Sequence, residues 1–104
     1  MAWFYLVLAG LLEIVWAYAM KLSEGFTRLP YAALTLIAMA GSFALLALAM
    51  RQLPLGTAYG IWTGIGALGS FALGIAFLGE AASPLRLTAA LMILGGLVLM
   101  KLSS

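Results

Sequence analysis

The sequence predicts an all-α membrane protein with four transmembrane helices per protomer. Three observations carry this reading. Of its 104 residues, 66% are hydrophobic and only 8% are charged, more apolar surface than a water-soluble domain of this size can hide. The few charges fall in clusters that cut the chain into four long apolar stretches. Those stretches lack the alternation that the strands of a membrane barrel need, and only helices and closed barrels satisfy their backbone groups in lipid.

Each element follows from the placement of the charges. Lys21, Glu24 and Arg28 form one cluster, closed by Pro30; Arg51, Gln52 and Pro54 form a second; Glu80, Ser83, Pro84 and Arg86 form a third; Lys101 marks the end. The spans between them lie at about 2–20, 30–50, 55–78 and 85–101, and the whole of 1–104 reads as a single four-helix domain. At ~1.5 Å of rise per residue, each span suffices to cross a hydrocarbon core of ~30 Å. The first stretch has no basic leader, carries an acid at its centre and ends without a small-residue cleavage pattern, so it reads as a retained span rather than a signal peptide. Short connections make neighbouring helices antiparallel.

Composition excludes several classes of function. The chain has no cysteine and no histidine, which removes disulfides, thiolate metal sites, the commonest general base and every Ser–His or Cys–His nucleophile. It is therefore read as a non-enzyme with no metal and no cofactor. A net charge of +2, scattered along the chain, does not suit nucleic acid.

Orientation is weakly encoded. With the N-terminus inside, Arg51 and Lys101 lie on the inner side and Lys21, Arg28 and Arg86 on the outer side. Such a small bias predicts insertion in both orientations and an antiparallel, dual-topology dimer with a pseudo-two-fold axis in the membrane plane.

Glu13 is the most informative residue, because it stands alone in the middle of the first span. A carboxylate at that depth costs roughly 2.5–3.5 kcal/mol even on the mildest scales, so such residues face a cavity or a partner and mark proton or cation sites. Residues three, four and seven apart share a helix face. Around Glu13 that face holds the small residues Ala9, Gly10 and Ala17, which leave space beside the carboxylate, and Trp16, whose indole N–H can only donate. Ser42 is the polar residue at the centre of the second span, at a depth that lets it meet Glu13.

In the third span, Gly56, Gly60 and Gly64 recur every four residues, and then Gly66, Ser70 and Gly74 do the same. Each set is a small-residue stripe that permits close helix contact. The step from Gly64 to Gly66 turns the stripe by about 200° at ~100° per residue, so the contact face switches sides at Gly64-Ile65-Gly66. A hinge is expected there. Just before it, Tyr59, Trp62 and Thr63 offer donors to a carboxylate and π-faces to a cation. The fourth span carries no charge at its centre; Ala89 and Gly96, one heptad apart, suggest a contact between protomers. Glu24 and Glu80 read as solvated loop charges beside Lys21, Arg28 and Arg86.

Taken together, these residues resemble the small multidrug resistance family along essentially the whole chain. The resemblance rests on Glu13, on the loop Lys21-Leu22-Ser23-Glu24-Gly25-Phe26-Thr27-Arg28, on the run Pro54-Leu55-Gly56-Thr57-Ala58-Tyr59-Gly60-Ile61-Trp62-Thr63-Gly64-Ile65-Gly66, and on the four-helix length. The run Glu13-Ile14-Val15-Trp16-Ala17 is similar to that of guanidinium-exporting members, whereas polyspecific members typically have glycine where Trp16 stands. Gly60 departs from the alanine that relatives often carry.

The resemblance implies an antiparallel homodimer in a prokaryotic plasma (inner) membrane, with two Glu13 carboxylates forming one central site for protons or one cation. Gly10, Trp16, Ser42, Tyr59, Trp62 and Thr63 would line it, and Gly64-Ile65-Gly66 would be the third-helix kink. Its partners would be guanidinium or small substituted guanidinium cations, protons and the lipid bilayer. Guanidinium is planar and weakly hydrated, and its N–H groups can bond two carboxylates at once. The alternatives are a polyspecific exporter of quaternary ammonium cations on the same fold, and a non-transporting membrane subunit in which Glu13 pairs with a partner helix. A heterodimer with a sister chain also stays open.

Overall fold

The computed structural model describes residues 1–103. It contains four helices, α1 (Ala2–Leu22), α2 (Leu29–Ala49), α3 (Leu55–Phe77) and α4 (Pro84–Ser103), and no strand among the described residues. All four are long and apolar enough to cross a membrane.

Local chemistry sets the ends. α1 continues past position 20 to Leu22 and stops at Ser23, whose hydroxyl donates to Met20 O at 2.6 Å and accepts the Phe26 N–H at 3.0 Å. The chain then reverses through Glu24, Gly25 and Phe26, all at positive φ. Pro30 sits in the first turn of α2, where its missing N–H leaves no gap in the helix ladder. Pro54, itself extended at φ −60° and ψ 152°, is the residue that opens α3. At the other end of α3, Gly79 at φ 70° lets the Leu78 and Glu80 N–H groups both bond back to Gly74 O, at 3.1 and 3.0 Å. α4 starts at Pro84, and the Ser83 hydroxyl accepts the Arg86 N–H at 3.2 Å.

The helices form a slab of about 40 × 34 × 16 Å. α1 lies between α2 and α3, and the backbone of α4 approaches that of α3 alone. Lys101 Nζ nevertheless reaches back over the Trp3 ring of α1, 4.2 Å from its centroid. Leu6, Ala9, Leu46, Ala49, Ala58, Ile61 and Trp62 make the core where α1, α2 and α3 meet. α4 contributes no buried residue. Large apolar side chains such as Ile37, Leu91 and Met92 are exposed, as expected where lipid is the surrounding medium.

The glycines of α3 explain how one helix serves two neighbours. A Cβ at Gly60 or Gly64 would run into Met100 or Leu97 of α4, whereas one at Gly66 or Gly69 would run into Glu13 or Ile14 of α1. The contact face thus changes sides between Gly64 and Gly66, as the spacing predicts. α3 itself stays helical through Gly64-Ile65-Gly66.

Candidate functional site

Glu13 is half-buried on α1, with its carboxylate laid against the backbone of α3. A Cβ at Gly66 would overlap Glu13 Oε1, so the absence of a side chain there is what admits the carboxylate. The sequence places Gly10 beside the carboxylate; in the structure the open face of Gly10 instead receives the Ile65 side chain, and the space at the acid comes from α3.

Glu13 Oε1 is buried and has no hydrogen-bond partner in the protomer, and the same is true of Trp16 Nε1. The expected Trp16-to-Glu13 hydrogen bond is therefore not made. An unpaired acceptor and an unpaired donor at mid-membrane depth are costly, since hydrocarbon offers neither of them a substitute for water.

Ser42 is fully buried and is used differently from a direct ligand of Glu13. Its hydroxyl accepts the Trp62 indole N–H at 2.9 Å and donates to Ala9 O at 2.6 Å. Ala9 lies one turn before Glu13, and its carbonyl is the acceptor that an α-helix assigns to the N–H of Glu13. The Trp62–Ser42–Ala9 relay therefore ties α3 and α2 to the turn that carries the acid.

Four aromatic rings form a row across α1, α2 and α3. Trp16 meets Phe43 at 6.4 Å between centroids, Phe43 meets Trp62 at 5.7 Å, and Trp62 meets Tyr59 at 5.5 Å. Phe43 is the member of the row that sequence reasoning misses. It follows Ser42 directly and is the one aromatic within a turn of it, and that adjacency is the signal that points to it. Tyr59 is 52% exposed, so the row ends at the surface of the chain. Thr63 is exposed on a different side of α3 from the Ser42–Trp62 bond.

Ala89 and Gly96 both lie exposed on α4. A Cβ at Gly96 would meet nothing within 4 Å, whereas Ala89 borders a small cavity between α3 and α4. No group of three potential metal-ligating side chains occurs among the described residues.

Comparison with known proteins agrees with this architecture. The family model described as Small Multidrug Resistance protein matches residues 1–94. Over 104 residues the chain is 55% identical to a protein of Yersinia pseudotuberculosis named Guanidinium exporter, covering all of both chains. It is 52% identical over 104 residues to proteins of the same name from Escherichia coli K12 and Citrobacter freundii, covering 100% of this chain and 99% of each relative. With four membrane-spanning helices and this similarity along its whole length, the chain belongs to the small multidrug resistance family and is a multi-pass protein of the bacterial inner membrane.

Proposed function

We propose that this protein is a proton-coupled exporter of guanidinium that works as an antiparallel, dual-topology homodimer. The observation that carries the proposal is the buried, unpaired Glu13 Oε1 beside an unpaired Trp16 N–H and a row of aromatic rings. The name Guanidinium exporter, borne by relatives matched over their whole length, supports the choice of cation.

A slab 16 Å thick cannot enclose a pathway by itself. A second, inverted copy laid over the Glu13 face would bring two carboxylates together and give the unpaired atoms partners. The two acids then titrate as one coupled site. Guanidinium offers planar N–H donors to both carboxylates, so its binding requires the protons to leave. Competition for one site is sufficient for exchange: the dimer changes its open side when protonated or cation-loaded, and resists doing so when empty. Trp16, Phe43, Trp62 and Tyr59 supply π-faces for the cation. Ser42, held by Trp62, fixes the turn that carries Glu13. Thr63, exposed in the protomer, would face the partner.

The hinge of this motion is assigned to Gly64-Ile65-Gly66, where α3 hands its contacts from α4 to α1. Ala89 and Gly96 are assigned to the contact between protomers, because α4 leaves them uncovered. The chain acts as one four-helix domain and performs no covalent chemistry.

The test is proton release from purified protein when guanidinium is added across a range of pH, beside a tetraalkylammonium control. Release for guanidinium alone, lost in Glu13→Gln, supports the proposal. Release for both ions moves the protein to the polyspecific exporters, which would use the aromatic row without N–H bonding. Release for neither, or proton-driven export retained in Glu13→Gln, overturns it.

A further inference from the structure

The charges of the third loop are not merely solvated. A cavity of about 330 Å³ opens where α1 and α3 end and α4 begins, bordered by Tyr18, Lys21, Ser70, Phe71, Glu80 and Arg86. Glu80 is folded back into it: its N–H bonds Gly74 O at 3.0 Å, and its carboxylate occupies the space where a Cβ at Gly74 would stand. Arg86 faces this carboxylate with Nη2 3.8 Å from Glu80 Oε1 and with Cζ 5.1 Å from the centroid of Phe71.

A planar guanidinium is thus held between one carboxylate and one aromatic face. Those are the features that recognise a free guanidinium ion as well. The hold is loose. At 3.8 Å the pair is longer than a hydrogen bond, no forked contact is made, and both side chains are about two-fifths exposed to the surroundings. The Arg86 side chain also stands between the main cavity and a second one of about 210 Å³, which share Ala67, Phe71 and Arg86 as walls.

The inner wall of the main cavity points toward the central acid. Ala17 lies one helical turn after Glu13, and Ala67 adjoins Gly66, against which the Glu13 carboxylate rests. Lys21 on the rim adds a second positive charge, so with Arg86 in place the cavity carries one net positive charge and repels cations. A cation of the same shape enters by exchange for Arg86.

We propose that Glu80 and Phe71 form a peripheral guanidinium site that Arg86 occupies as a tethered competitor, and that free guanidinium displaces Arg86 in passing between the aqueous face and Glu13. This rests on the guanidinium reading of the central site. A tethered group acts at an effective concentration in the ~mM range, so the site discriminates against guanidinium at lower concentrations and opens when the ion accumulates.

The experiment uses the full chain with Glu13→Gln, which silences the central site, in discs of zwitterionic lipid. Labelled glutamate leaves two carboxyl NMR signals, from Glu24 and Glu80, assigned with Glu80→Gln. Guanidinium is titrated in, with tetramethylammonium as the ion that lacks N–H donors. The expected result is a saturable shift at Glu80 for guanidinium alone, with Glu24 unmoved, and a severalfold tighter midpoint when Arg86→Met removes the competitor. Arg86→Gln serves as a second variant should Arg86→Met not fold. Parallel, unsaturated drift of both carboxyl signals would overturn the proposal, as would a midpoint unchanged or weakened by loss of Arg86. In a parallel set of discs containing phosphatidylglycerol, a Glu80 signal that responds to this lipid and not to guanidinium would overturn it too, and would make the cavity a headgroup site of Lys21 and Arg86. Because Glu80 is read without Glu13, failure here leaves proton release by the unmodified protein as an independent test of guanidinium export.

Discussion

The carboxylate of Glu13 lies in the space that a side chain at Gly66 would fill. One atom's absence on α3 thereby sets the position of the only acid inside a span. Gly66→Ala is expected to push the carboxylate away from α3 while leaving four helices in place. Guanidinium-induced proton release should weaken about tenfold or more, the equivalent of ~1.4 kcal/mol at the site. Circular dichroism and gel filtration in detergent check that the fold survives; full retention of proton release in Gly66→Ala would contradict the assignment.

The hydrogen bond from Trp62 Nε1 to Ser42 Oγ, 2.9 Å long, couples α3 to α2, and Ser42 passes the connection to Ala9 on α1. Ser42→Ala strands the indole N–H in a buried position, and Trp62→Phe strands the hydroxyl's acceptor side. A double-mutant cycle in a folding assay should give a coupling energy of about 0.6–1.7 kcal/mol, the range for hydrogen bonds between membrane helices. Additive effects of the two substitutions would show that the bond contributes nothing in the membrane.

Gly64 makes room for the Leu97 side chain, so α3 and α4 pack closely at this pair. Gly64→Ala overfills this contact and should destabilise the protein by roughly 1–3 kcal/mol, as overpacking does. Adding Leu97→Ala should restore part of that loss, since it empties the space the new methyl group needs. Thermal unfolding in detergent distinguishes the outcomes: no rescue in the double variant would mean that α4 does not pack on α3 through this pair.

Weak charge bias predicts that topology can be set by a few lysines. Two lysines inserted after Gln52 should hold one orientation, and Ala81→Lys with Ala82→Lys the other. Each locked protein alone should lose export, and co-expression of the two should restore it. Undiminished export by either one alone would rule out the antiparallel dimer.

The primary structure by itself determined the four spans, because charges are costly in hydrocarbon and the chain has few of them. It also identified Glu13, for the same reason, and the change of contact face at Gly64-Ile65-Gly66, because helical geometry converts a spacing of two residues into a change of side. Tertiary structure decided what each of these features touches. Ser42 and Trp16 share a depth with Glu13, yet depth does not say which donor finds which acceptor: Ser42 bonds Trp62 and Ala9, while Trp16 Nε1 and Glu13 Oε1 stay unpaired. Gly10 shares a face with Glu13, but Ile65 of another helix fills its open side and Gly66 gives the acid its room. Helix ends shifted by a residue or two, as at Ser23, because capping bonds rather than hydropathy stop a helix. Periodicity along one helix fixes only which residues face the same way; the rotation and offset of its neighbours, set by packing across the bundle, choose the partners.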